Sequence, residues 1–124
     1  MEAVTKIAWI VLALIHAAPA MAGLRPGLIR TLYGTAASGD LSVLLAHRGV
    51  LFLAVLAACL YAAFESTARP TASLVAAISV VGFLAHYALA GLPGGPLRTV
   101  ALVDAAALLP LAWVLLTAWI RPTV

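Results

Sequence analysis

A chain of 124 residues, 65% hydrophobic and only 9% charged, lacks the polar surface that a water-soluble fold of this size needs, so its composition is that of an integral membrane protein. The net charge of +3 suits a protein facing anionic lipid headgroups, and the absence of any basic stripe excludes a nucleic-acid partner. Cys59 is the sole cysteine, which excludes an internal disulfide and leaves a small packing residue in mid-helix.

The first apolar run, residues 4–24, is long enough to span a bilayer with some tilt. Lys6, the apolar stretch 7–15 and the small residues "APAMAG" also fit a secretory signal cleaved near residue 22. Both readings stay open, with a retained span as the expectation. Trp9, Ala13, His16 and Ala20 share one helical face, and Pro19 releases the carbonyl of Ile15. The stretch "LRPGLIRTLYGTAASGD" follows. Within it Leu28, Ile29, Leu32 and Tyr33 share a face, with Arg25 and Arg30 available for headgroups, which predicts a short interfacial helix lying over this end of the bundle.

Asp40 suits an N-cap for the second run, residues 41–64, which contains "LLAHRGVLF" and the small-residue ridge Ala54, Ala58 and Ala62. "ESTARP" reads as a short polar turn, with Pro70 placed to open the third run, residues 71–92. Ser79, Gly82 and His86 fall on one face of that run. "GLPGGP" is a breaker-rich, tight connection to the fourth run, residues 99–120, where Pro110 releases the carbonyl of Ala106.

Backbone amides in lipid must be paired within a segment, and none of the runs alternates polar and apolar residues as a barrel strand does. The expectation is therefore an all-α integral membrane protein: a four-transmembrane-helix bundle with a short interfacial helix in its first loop, forming one domain over residues 1–124. An even number of spans puts both termini on one side. Lys6, Arg69 and Arg121 then fall on the terminal side and Arg25, Arg30 and Arg98 on the loop side, a balance that leaves the positive-inside rule undecided.

At about 1.5 Å of rise per residue, His16, His47, Arg48, His86 and Asp104 all lie roughly 8 to 12 Å below the loop-side boundary, one layer to which every span contributes. The other half of the bundle has no comparable residue by this count. Ionisable groups in hydrocarbon are costly and turn inward toward partners or a cavity. Arg48 and Asp104, opposite in charge and on different spans, are the expected ion pair, while Arg25, Arg30, Tyr33 and Arg98 form a cap above the layer.

In order and spacing, "HAAP", "LYG", "LLAHRGVLF" followed by "YAAF", "ISVVGFL" and "RTVALVD" resemble a group of small four-helix bacterial inner-membrane proteins. That group is loosely DoxX-like and often catalogued as phosphopantetheine adenylyltransferase. The resemblance covers nearly the whole chain and implies an architecture, a bacterial inner membrane, and the positions His16, Tyr33, His47, Arg48, Arg98 and Asp104. The activity in the catalogue name does not carry over: it needs a phosphate-cradling site on a soluble α/β core, and no strand, glycine-rich phosphate loop or paired-histidine signature is present. A second, weaker likeness, through "AHRG" and "LAHYALAGLPGGPLR", is to the eicosanoid and glutathione family of four-helix membrane enzymes, which would imply a glutathione-using trimer. Residues 49–60 lack the polar residues that should follow the arginine-histidine motif of that family.

The first functional expectation is an accessory or scaffolding subunit of a larger membrane complex or homo-oligomer, its Arg-Asp-His layer specifying helix packing. The second is a binding protein for a lipophilic ligand or quinone held in the loop-side half. A haem or metal site could draw on His16, His47 or His86 with Asp104, although no two such ligands sit one helical turn apart. A proton-relay or catalytic role lacks a nucleophile.

Overall fold

The computed structural model describes residues 1–25, 27–34 and 37–120. Helices α1 (Glu2–Ile15) and α2 (Ala17–Leu24) build the first span; α3 (Leu28–Tyr33) follows, then α4 (Gly39–Phe64), α5 (Arg69–Leu89) and α6 (Pro96–Trp119). No strand occurs among the described residues. Four helical stretches are long and apolar enough to cross a membrane, the make-up of a multi-pass membrane protein. Arg121, counted above on the terminal side, lies outside the described residues, as do Pro26, Thr35 and Ala36 of the long first connection.

The first span is two helices rather than one. Pro19 has no N–H for the carbonyl of Ile15, and the helix breaks at His16, whose amide is shared between the carbonyls of Leu12 at 3.4 Å and Ala13 at 3.2 Å. Beyond the break α2 runs against α4 in backbone contact. A Cβ on Gly23 would lie 2.6 Å from the amide nitrogen of Val50, and one on Gly49 would lie 2.7 Å from the Cα of Gly23, so only glycine fits at either position.

Helix α3 has the face expected of it. Ile29 is buried, Leu28, Leu32 and Tyr33 are half-buried, and Arg30 and Thr31 are exposed. Gly34 closes it in the left-handed conformation at φ 68°, donating to the carbonyl of Arg30 at 2.9 Å. The N-cap position of α4 is Ser38, with no side-chain cap bond; Asp40 sits instead in the first turn, where its charge complements the helix dipole.

At the "ESTARP" turn the Glu65 carboxylate accepts from the backbone N–H of Thr67 at 3.1 Å and from its hydroxyl at 2.8 Å. These bonds, the backbone one first, hold the carboxyl below its ordinary range. Arg69 is buried at the start of α5. Its Nε donates to the carbonyl of Ala62 at 3.1 Å and its Nη1 to the Glu2 carboxylate at 3.0 Å. The terminal half therefore does hold a buried ionisable group, which counting depth along the sequence misses because Arg69 belongs to a polar turn. Two tryptophans complete the polar contacts at this end, Trp113 donating to the Thr5 hydroxyl at 3.2 Å and Trp119 to that of Ser73 at 3.0 Å.

Trp9, Leu12, Val55, Cys59, Val80, Leu111 and Val114 form a close-packed core through the middle and terminal parts of the bundle. Around it the outward faces are apolar, with Ile78, Leu89 and Leu109 each more than 70% exposed at 74%, 84% and 79%. Such faces suit lipid, which offers no penalty for exposed Leu or Ile. Two cavities that share Arg48 lie toward the loop side, and a third, of about 250 Å³, lies at the terminal end between Met1 and the last turns of α6.

Candidate functional site

Arg48 stands at the centre of the loop-side half. One turn along α4, Phe52 lies on the same helical face, and its ring centroid is 5.2 Å from the guanidinium carbon. Tyr33 from α3 and Phe83 from α5 each approach to 5.6 Å, so three rings surround one cation within cation–π range. Such contacts are worth about 2 kcal/mol or more when desolvated, which offsets part of the cost of holding the charge at this depth.

The guanidinium borders a partly open chamber of about 210 Å³. Ile15, His16, Ala18 and Pro19 contribute from the broken first span, Leu32 and Tyr33 from α3, Phe52 from α4, Phe83 from α5, and Thr99, Val100, Val103 and Asp104 from α6. The break at His16 and the glycine contact between α2 and α4 shape one wall. Asp104 is half-buried and faces the same space as Arg48. The two do not form the expected ion pair: among the described residues the one salt bridge is Arg69 to Glu2. Equal depth brought the two charges to one level, but the chamber lies between their helices.

His16 is buried and does a different job from the one its depth implies. Nδ1 lies 2.8 Å from the carbonyl of Leu12 and Nε2 lies 3.0 Å from the hydroxyl oxygen of Ser79 on α5. A carbonyl only accepts, so Nδ1 carries the proton, and in the neutral ring Nε2 accepts from Ser79. The ring thus ties α1 to α5. It cannot pass a proton from one side to the other, because the Leu12 carbonyl ends the chain of transfers.

The other members of the predicted layer separate. His47 is exposed and lines neither cavity. His86 is exposed too, but it lines a second, more open space of about 640 Å³ between α4 and α5. Ser79, Gly82 and His86 share that lining, as their common face predicts, and Arg48, Phe52 and Phe83 border both spaces. Among the described residues no three His, Cys, Asp or Glu side chains converge on one point that could hold a metal ion. Of the cap residues Arg25, Arg30 and Arg98 are exposed, and only Tyr33 reaches the chamber.

Of the carbonyls that proline releases, that of Ile15 belongs to a chamber residue, while Ala106 lines neither space. Burial pushes the Tyr33 phenol above its ordinary range; the Arg48 charge opposes that shift and the Asp104 charge adds to it. The phenol is therefore a hydrogen-bond donor at neutral pH. Phe52, Phe83 and Thr99 are chamber residues that a search for ionisable side chains passes over. Phe52 had a signal, its spacing of four from Arg48 on a helix; Phe83 and Thr99 arrive through bundle packing alone. Compared with known protein families, curated proteins and solved structures, the chain matches none.

Proposed function

We propose that the loop-side chamber binds a small lipophilic molecule bearing polar oxygen atoms, of the quinone type. One observation carries this reading: Arg48 and Asp104 line the same apolar chamber without pairing with each other. A guanidinium presents five N–H donors, and rings satisfy its charge but not those donors. A carbonyl or hydroxyl oxygen seated in the chamber would accept from Arg48 and from the Tyr33 phenol, and an O–H on the same molecule would donate to Asp104. Predominantly apolar walls with a few convergent polar groups are the usual make-up of a small-molecule site.

The resemblance to the DoxX-like group supports the same positions, since His16, Tyr33, Arg48 and Asp104 are among those it singles out and all four line the chamber. With it we propose a bacterial inner membrane as the location, both termini on one side. The scaffolding reading stays as the second, favoured by the His16–Ser79 and Arg69–Glu2 contacts, which join separate helices and need no ligand. Native mass spectrometry of the protein purified in mild detergent separates the two. A small-molecule adduct that the Arg48→Gln variant loses supports the chamber. A stoichiometric protein partner with no adduct supports the scaffold and overturns the binding reading.

A further inference from the structure

We infer that the ligand is an amphiphile with a single aliphatic chain, its polar ring in the chamber and its chain in the groove between α4 and α5, entered sideways from the bilayer. This rests on the proposed binding function and extends it to the class of molecule bound.

Size is the first argument. Sites for small molecules run to about 300–1,000 Å³. The chamber, at about 210 Å³, falls short of that range, whereas the groove, at about 640 Å³, lies within it. The chamber is large enough for a polar ring, and a molecule with a long chain would extend beyond it.

Continuity is the second. Arg48, Phe52 and Phe83 border both spaces, so a molecule whose polar end meets Arg48 has its other end beside the groove. Along α5 the groove is walled by a stripe from Val75 to His86. Eleven residues at about 1.5 Å each make it roughly 16 Å long, the dimension of a chain and not of a ring. Its lining is apolar apart from Arg48 at the divide, Ser79 and His86, and the Ser79 hydroxyl is already engaged by His16.

The third argument is the room along the groove. Gly82 lines it, and a Cβ built there meets nothing within 4 Å. No close neighbour requires this glycine, unlike Gly23 and Gly49, and its missing side chain leaves that stretch of the groove clear. Ala54 keeps the opposite wall similarly low.

The test compares two probes, a benzoquinone carrying a decyl chain and the same ring carrying a methyl group in its place, binding to wild type and to Gly82→Leu in one detergent. Comparing each probe across the two proteins cancels its partitioning into micelles. The leucine has room to fold in and fills the groove. We expect it to weaken the decyl probe by about tenfold or more, an overpacking effect, and to leave the methyl probe unchanged. Ala54→Leu, from the facing helix, should do the same and guards against a folding defect peculiar to one variant. If both probes bind equally well to wild type and to the filled variants, the chain lies elsewhere and the inference falls while the chamber stands. Equal weakening of both probes also overturns it. If neither probe binds the wild-type protein, the binding function falls and takes this inference with it.

Discussion

Arg48 brings a permanent charge into a setting where nearly every neighbour is apolar, and the three rings around it explain why the charge stays inward and does not snorkel to the headgroups. The residue after it does as much for the site. Gly49 lets α4 touch α2 along the backbone, and that contact sets the height of the chamber wall formed by Ala18 and Pro19. Gly49→Ala forces the two helices apart, since the obstructing atoms are the backbone of Gly23 and cannot rotate away. We expect a loss of about 2–3 kcal/mol, the upper part of the overpacking range. Gly23→Ala should cost a similar amount, and the double variant less than the sum, because one separation relieves both clashes. Unfolding by SDS titration from mild detergent measures all three. A change under about 0.5 kcal/mol, typical of an open surface site, would mean that the helices do not touch there.

Among the elements, the run lengths and breakers of the sequence suffice to locate the four spans and α3, because hydrocarbon thickness fixes how long an apolar helix must be. The face of α3 is legible for the same reason, its apolar residues recurring at helical spacing. Arg69 is not. It stands beside Pro70 in a polar turn, and its burial arises only when three helix ends meet: the last turn of α4, which offers the Ala62 carbonyl, the first turn of α1, which offers Glu2, and the start of α5 itself. Free carbonyls at a helix C-terminus favour a cation, so the Ala62 contact is electrostatically apt as well. Arg69→Met keeps the apolar stem and removes both bonds, and should cost about 1–3 kcal/mol. Glu2→Gln, at a side chain 50% exposed, should cost less than about 1 kcal/mol. The same SDS titration ranks them; equal losses would mean that the ion pair, and not the cap on α4, holds this corner.

For the molecule as a whole, rotation about each helix is not legible in the sequence. Counting residues puts His16, His47, Arg48, His86 and Asp104 at one level, yet packing gives them different surroundings: His16, Arg48 and Asp104 line the chamber, His86 lines the lateral groove that Arg48 also borders, and His47 is exposed outside both. Rotation is set by contacts such as Gly23 against Gly49, which no periodicity in either helix alone reveals. The result is a bundle with a close-packed core and, toward its loops, a chamber that α3 covers and into which it carries Tyr33. The place of Tyr33 there gives the binding reading a pH signature. The Tyr33 phenol is held above its ordinary range, so it remains a donor until the pH passes about 10, the usual tyrosine value. Affinity for a chain-bearing benzoquinone should then be flat from about pH 7 to 10, and Tyr33→Phe should weaken it by about three- to tenfold at every pH in that window. Above about pH 10 the unfolded chain ionises this phenol before the folded one does, so stability also declines as pH rises through that range. Affinity that fell between about pH 8 and 10 in the wild type and not in Tyr33→Phe would show the Arg48 charge outweighing burial, with Tyr33 entering the site as an anion and not as a donor.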